Sequence, residues 1–298
     1  RYDNGYFFLL RQGVFALMAL PMIVAVARVD YHRYRPFTYP LLAGVFGLLL
    51  VTALGFGHSA GGAARWIAVG PVHVQPAEMA KVALIFYLAY SLSKKREKIK
   101  SFSVGFLPHV LVSGLLMLLC LKQPDFGSAV MIGMLTFVLL FTAGAKLGYI
   151  LGAGLLAAPV AYGLIVSSPY RMRRIQAFLA PFEHRQGAGY QVSESLLSYG
   201  SGGLTGVGIG DSRQKLFYLP EAHTDFISAI VGEELGFVGV TLLIVAFLVV
   251  FLRGVRAAFT AVDEYGTYLA VGITMFLGMQ AFTNLAVAMG MLPTKGLV

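Results

Sequence analysis

Any chemistry in this chain must come from a few polar and ionisable residues set among long apolar runs. The densest group is Leu219-Pro220-Glu221-Ala222-His223-Thr224-Asp225-Phe226. Asp225 stands where an apolar run begins, which suits a helix cap. A carboxylate at a membrane surface, beside a histidine and several cations, equally suits a general base whose pKa is tuned by partial burial. The residues alone leave both readings open. Arg65 and Trp66 precede Glu78 and Lys81, which are three apart and share one helical face. That pair is either an internal ion pair that lets a helix pack or charge offered to a ligand. Asp125, in Gln123-Pro124-Asp125-Phe126-Gly127, fits an N-cap beside a helix-breaking proline. Lys295, in Pro293-Thr294-Lys295-Gly296, fits a snorkelling interfacial lysine and an anion ligand equally well. Glu233 and Glu234 are expected to anchor other helices through hydrogen bonds rather than to touch a substrate.

Other chemistries find less support. The glycines from Gly200 to Gly210 contain no P-loop lysine-serine pattern and follow no strand pattern, so they are expected to permit tight loop packing rather than to cradle a nucleotide. His223 with Asp225 or Glu221 makes only a partial shell for a hard cation, and there is no HExxH or Cys/His cluster. No metal site is named; a divalent cation, Mg or Mn, stays open as a cofactor. Cys120 is the single cysteine, so no intrachain disulfide can form.

These residues must be positioned by membrane helices. The chain has 298 residues, 57% of them hydrophobic and 12% charged, with a mean hydropathy of +0.75, far too apolar for a soluble domain of this length. A span needs about 20 apolar residues. Stretches near 12–28, 39–57, 76–92, 104–121, 127–143, 147–166, 226–252 and 265–290 qualify or nearly do, and they are read as one membrane domain over 1–298. The third and fifth are short or carry charge, so they are expected to lie among other helices. The fold class is therefore an all-α polytopic membrane bundle. No cleavable signal peptide opens the chain.

Basic residues fix the expected orientation. Arg33 and Arg35, the run Lys94, Lys95, Arg96, Lys98 and Lys100, then Lys146, Arg253 and Arg256 all follow odd-numbered spans, which puts them on the cytoplasmic side. The net charge of +9 is spread over these short loops rather than over one soluble face, which argues against nucleic acid. The large outer loop, 167–225, carries further arginines, because long loops translocate despite charge. Its length and its aromatic and glycine residues predict an ordered, close-lying loop.

Several runs together resemble the SEDS (shape, elongation, division and sporulation) family, and within it the FtsW branch, with RodA as a relative. They are Arg65-Trp66-Ile67; Gln75-Pro76-Ala77-Glu78 with Lys81; Gln123 to Gly127; Gly189-Tyr190-Gln191; Gln214 to Phe226 (QKLFYLPEAHTDF); Gly232 to Gly236; and Met291 to Leu297 (MLPTKGL). The resemblance covers about residues 61–297 and implies a bundle of ten transmembrane helices, of which about eight, the second to the ninth, are present here. Ala180 before Pro181 departs from relatives that carry Asp or Asn there.

The resemblance implies a peptidoglycan glycosyltransferase that polymerises lipid II on the outer face of the bacterial cytoplasmic membrane, during septal wall synthesis and cell division. It makes Asp225 the catalytic base. Arg65, Lys81 and Lys295 are expected to hold the leaving pyrophosphate, Trp66 to line the cleft, and Glu78 and His223 to complete substrate binding. Implied partners are a class B penicillin-binding protein, divisome regulators and membrane lipid. Two rival functions are a lipid II flippase, which needs charges spread across the membrane depth, and a non-catalytic divisome scaffold. Charges gathered at the outer edge favour surface chemistry.

Overall fold

The computed structural model describes residues 7–60, 63–70, 72–214, 219–220, 222 and 224–294. Ten α-helices order the chain: α1 Phe7–Ala27, α2 Thr38–Ala53, α3 Pro76–Lys94, α4 Leu107–Lys122, α5 Phe126–Thr142, α6 Leu147–Val166, α7 Pro169–Leu179, α8 Tyr190–Gly202, α9 Ile227–Phe259 and α10 Glu264–Ala288. Three short antiparallel strands, β1 His58–Ala60, β2 Ala63–Val69 and β3 Val72–Val74, fold over the end where α2 finishes and α3 begins. Among the described residues, six helical stretches are long and apolar enough to cross a membrane. The molecule is a multi-pass, helical membrane protein.

Helix α3 is the axis. Proline at its first turn supplies a fixed φ where no N–H is needed. Ala77, Ala80, Ala83 and Ala89 are buried, with Leu84, Ile85, Leu88 and Leu92 on the remaining faces. Lipid tails are as apolar as leucine, so association here rests on close packing rather than on water release, and small residues permit it. Around α3 stand Val45 and Leu49 of α2, Leu116 and Cys120 of α4, Ile132, Leu135 and Leu139 of α5, and Tyr265 and Leu269 of α10. The expected enclosure therefore holds for α3. Helix α5 meets it only in part, because Val130, Met134 and Phe141 point outward. Helices α1 and α6 bury almost nothing.

Connections gather at two ends. At one, Tyr31, His32 and Arg35 in the α1–α2 connection all bond Asp263, which caps α10 by accepting from Gly266 N–H. Burial pushes the Asp263 carboxyl up, but the Gly266 N–H and the Tyr31, His32 and Arg35 partners outweigh it and hold the group below the ordinary range. Arg96 pairs with Glu264 at 2.6 Å on the same side. At the other end lie the strands, the α4–α5 turn, and α7 with α8, which form helical structure within the long loop 167–225.

Helix α9 breaks at Gly236, where φ is +62° and ψ is −159°, a conformation essentially reserved for glycine. Unbroken, Phe237 and Val238 would donate to the carbonyls of Glu233 and Glu234. Instead Phe237 N–H donates to Gly203 O at 2.9 Å and Val238 N–H to Leu204 O at 3.2 Å, while Val207 and Gly208 N–H donate to the Glu233 and Glu234 carbonyls at 3.0 and 3.1 Å. Four groups released by the break are all re-paired by the glycine-rich loop. A Cβ on Gly206 would stand 2.1 Å from Glu234 O, so only glycine admits this approach.

Gly236→Ala is expected to lower the thermal unfolding midpoint in detergent, at a cost of about 2 kcal/mol or more from the backbone conformation alone. Gly13→Ala, on exposed α1 with open space around its Cβ, is expected to leave it unchanged within about 0.5 kcal/mol.

Candidate active site

Those sequence-predicted residues that the structure describes, Arg65, Trp66, Glu78, Lys81 and Asp225, lie at the end of the bundle that carries the strands. The α4–α5 turn organises it. Asp125 caps α5, accepting from Ser128 N–H at 3.0 Å and Ser128 Oγ at 2.7 Å, and it also accepts from Gln75 Nε2 at 3.1 Å, the residue just before α3. Gln123 donates to Leu49 O and Thr52 Oγ1 of α2. Arg65, half-buried on β2, reaches over the same turn and donates to Gln123 O at 2.9 Å and Pro124 O at 3.2 Å. Trp66 follows it, half-buried, its Cα opposite that of His58.

One turn into α3, Lys81 Nζ lies 2.6 Å from Glu78 Oε1; the lysine side chain is 3% exposed and the glutamate 44%. Gln280 of α10 donates to the other Glu78 oxygen at 2.8 Å, and the Lys81 ammonium sits 5.4 Å from the centre of the Phe276 ring. A charge this deep needs such company. The pair is thus an i,i+3 ion pair whose lysine is buried and whose carboxylate is partly exposed.

Asp225 is half-buried two residues before α9, whose N-cap is Phe226 rather than Asp225 as a cap reading of the sequence expects. Its neighbours hold it there. Leu219, Ala222, Phe226, Ala229 and Ile230 form one apolar cluster with Val287 and Ala288 at the end of α10. Ser195 of α8 donates to Ala288 O at 2.6 Å. The other fixed point is Glu233, whose side chain is 3% exposed: its carboxylate accepts from Ser212 Oγ and from Arg213 N–H at 3.1 Å and Gln214 N–H at 3.4 Å. Glu233 therefore anchors the loop leading to Asp225, not another helix as the sequence reading expects, because two consecutive backbone donors turn towards it. Glu221, His223 and Lys295 lie outside the described residues. Among the described residues no group of three or more His, Cys, Asp or Glu side chains is placed to hold a metal.

Helix α7 adds a contact at this end. Arg174 Nη1 donates to Thr294 O at 2.8 Å, and the guanidinium lies 4.5 Å from the Tyr170 ring centre. Burial pushes the Arg174 pKa down, and the nearby Arg65 charge works in the same direction. Arg171, one turn earlier, donates to Leu164 O at 2.6 Å and covers the Phe126 ring at 5.6 Å.

The family model described as cell cycle protein, covering FtsW, RodA and SpoVE, matches residues 1–298. The chain belongs to this family. Among FtsW/RodA/SpoVE relatives, a probable peptidoglycan glycosyltransferase FtsW from Geobacter sulfurreducens is 46% identical over all of this chain and 80% of its own length. Stage V sporulation protein E of Bacillus subtilis is 40% identical, over all of this chain and 81% of its own. Of solved structures, a chain from work on the structural coordination of polymerization and crosslinking by a peptidoglycan synthase complex superposes with a TM-score of 0.79 at 27% identity, covering 97% of this chain and 81% of that one. The rod shape determining protein RodA of Thermus thermophilus gives 0.68 at 27% identity, over 97% and 78%.

Within this FtsW/RodA/SpoVE frame, sequence reasoning missed Gln75 and Gln280, the neutral partners of Asp125 and Glu78, and it missed Arg174. Amides carry no signal of their own. Arg174 did carry one: Pro169 after Ser168 marks a helix start, and Tyr170, Arg171, Arg174 and Ala177 then fall at helical spacing.

Glu78→Ala leaves Lys81 buried without its carboxylate and is expected to cost on the order of 3 kcal/mol in unfolding free energy. The double variant Glu78→Gln with Lys81→Met is expected to regain most of that stability in the same unfolding measurement without regaining activity. Recovery of both would reduce the pair to a packing device.

Proposed function

We propose that this chain is a peptidoglycan glycosyltransferase that polymerises lipid II during septal wall synthesis, and that the reaction occurs at the end carrying β2, the α4–α5 turn and the Asp225 loop. Relatives matched over the whole chain are named probable peptidoglycan glycosyltransferase FtsW. One observation carries the placement: Arg65, the Glu78–Lys81 pair and the half-buried Asp225 stand at a single end of the bundle. The opposite end is tied up by the Asp263 and Glu264 ion pairs. That opposite end holds the basic loops and is assigned to the cytoplasm, which makes the reactive end periplasmic.

The step is a displacement at an anomeric carbon. A hydroxyl oxygen of one lipid-linked disaccharide forms the new glycosidic C–O bond, and the bond from that carbon to the diphosphate oxygen breaks. The electron pair leaves with undecaprenyl pyrophosphate. The hydroxyl proton passes to the Asp225 carboxylate, without which a sugar hydroxyl is a poor nucleophile. Arg65, Lys81 and Lys295 hold the diphosphate, since fixed cations in a shielded cleft stabilise charge as it develops. Glu78 orients Lys81, Trp66 lines the cleft, and His223 contacts the sugar side. A class B penicillin-binding protein crosslinks the strands in complex with this chain, at the division septum of the cytoplasmic membrane, with divisome regulators and surrounding lipid as further partners.

With fluorescent lipid II and the full-length protein in complex with its partner, Asp225→Asn is expected to lower the rate of glycan-ladder formation by about 10²- to 10⁴-fold with complex formation and unfolding midpoint unchanged. Ladders at the wild-type rate from a folded variant would remove the general-base assignment of Asp225.

A further inference from the structure

Arg174 has no role in the site as proposed, yet it is placed where that site needs one. Helix α7 is amphipathic: Arg173, Gln176 and Leu179 face outward, while Arg171, Arg174 and Ala177 turn towards the bundle. Of the two inward arginines, Arg171 is directed to the end of α6 and the start of α5. Arg174 is directed to Thr294, in the turn that follows α10, from the helix whose Arg171 covers Phe126 beside the same α4–α5 turn that Arg65 binds through the Gln123 and Pro124 carbonyls. Thr294 immediately precedes Lys295 in the chain. The same end of α10 packs against Phe226, next to Asp225. Three segments far apart in sequence thus bring Arg65, Arg174 and the Asp225 loop to one region.

Drawing two guanidinium groups together in a half-buried place is unfavourable in itself. The Thr294 carbonyl and the Tyr170 ring hold Arg174 in a fixed direction without changing its charge. A guanidinium presents several N–H donors in one plane, and two of them in fixed relation match the paired oxygens of a diphosphate better than a single flexible ammonium does. We propose that Arg174 binds the diphosphate of the lipid-linked substrate beside Arg65, a reading that rests on the proposed glycosyl transfer. Its action is on binding of the diphosphate and on its departure, with the proton transfer left to Asp225.

The test uses binding, so that it stands apart from turnover. In the full-length protein with its partner, farnesyl diphosphate is expected to slow modification of Arg174 by phenylglyoxal, read peptide by peptide in a mass spectrometer. Phosphatidylglycerol at equal concentration is expected to leave that labelling unchanged. Arg174→Gln should weaken farnesyl diphosphate binding about tenfold or more and raise the KM for lipid II, while Arg173→Gln, one residue away and outward-facing, leaves both as in wild type. Unprotected labelling, or unchanged diphosphate affinity in folded Arg174→Gln, overturns the assignment and leaves Arg174 as a tie to Thr294. Equal protection by phosphatidylglycerol overturns it in favour of a general phospholipid contact. A protein that binds the diphosphate through Arg174 yet forms no glycan supports this assignment while removing the polymerase reading.

Discussion

A backbone break inside a membrane bundle is tolerable only if every amide it releases finds another partner, and the end of this molecule that carries the strands is built on meeting that demand at Gly236. Hydrocarbon offers no water to absorb the released groups. The loop from Gly203 to Gly208 supplies the missing donors and acceptors in kind, two of each. That exchange fixes where the loop runs. The loop in turn delivers Ser212, Arg213 and Gln214 to the Glu233 carboxylate, whose helical segment begins shortly after Asp225. A carboxylate on a long surface loop would ordinarily be poorly positioned. Here the loop is clamped at several points to α9, which starts two residues after Asp225.

The two ends of the bundle use polar groups differently. At the basic end, carboxylates and cations meet in closed sets, as where Tyr31, His32 and Arg35 converge on Asp263. At the other end the ion pairs of Glu78 with Lys81 and of Glu194 with Arg185 stand beside contacts with neutral groups: amides on Asp125 and Glu78, carbonyls on Arg65 and Arg174. Neutral partners set direction and leave formal charge in place.

Much of this was legible in the sequence because membrane helices announce themselves by length and apolarity. Asp125 after Pro124 announces a cap, and the i,i+3 spacing of Glu78 and Lys81 announces their pair. Three features stayed hidden for distinct reasons. The Gly236 break leaves no trace in hydropathy, since a glycine scores the same whether the helix bends there or runs on. The strands around Trp66 are too short to show a period-two pattern. Glu233 reads as a membrane-buried acid in need of partners, but nothing in its neighbourhood of the chain says that they come from about twenty residues upstream. Local pattern predicts elements, and only the fold predicts which donors a buried acceptor meets.

The Asp263 latch also carries information about time. Its partners are separated by 228 to 232 residues, so at roughly 5–20 residues per second the ribosome delivers Asp263 some 10–45 s after Arg35. Through that interval Arg35 and His32 wait without the aspartate that later holds them. Until then α1 and α2 are held in the bilayer by their own hydrophobicity and flanking charge. Closure of the latch marks the arrival of α10, so the connection laid down between α1 and α2 is locked only when a helix made much later reaches it.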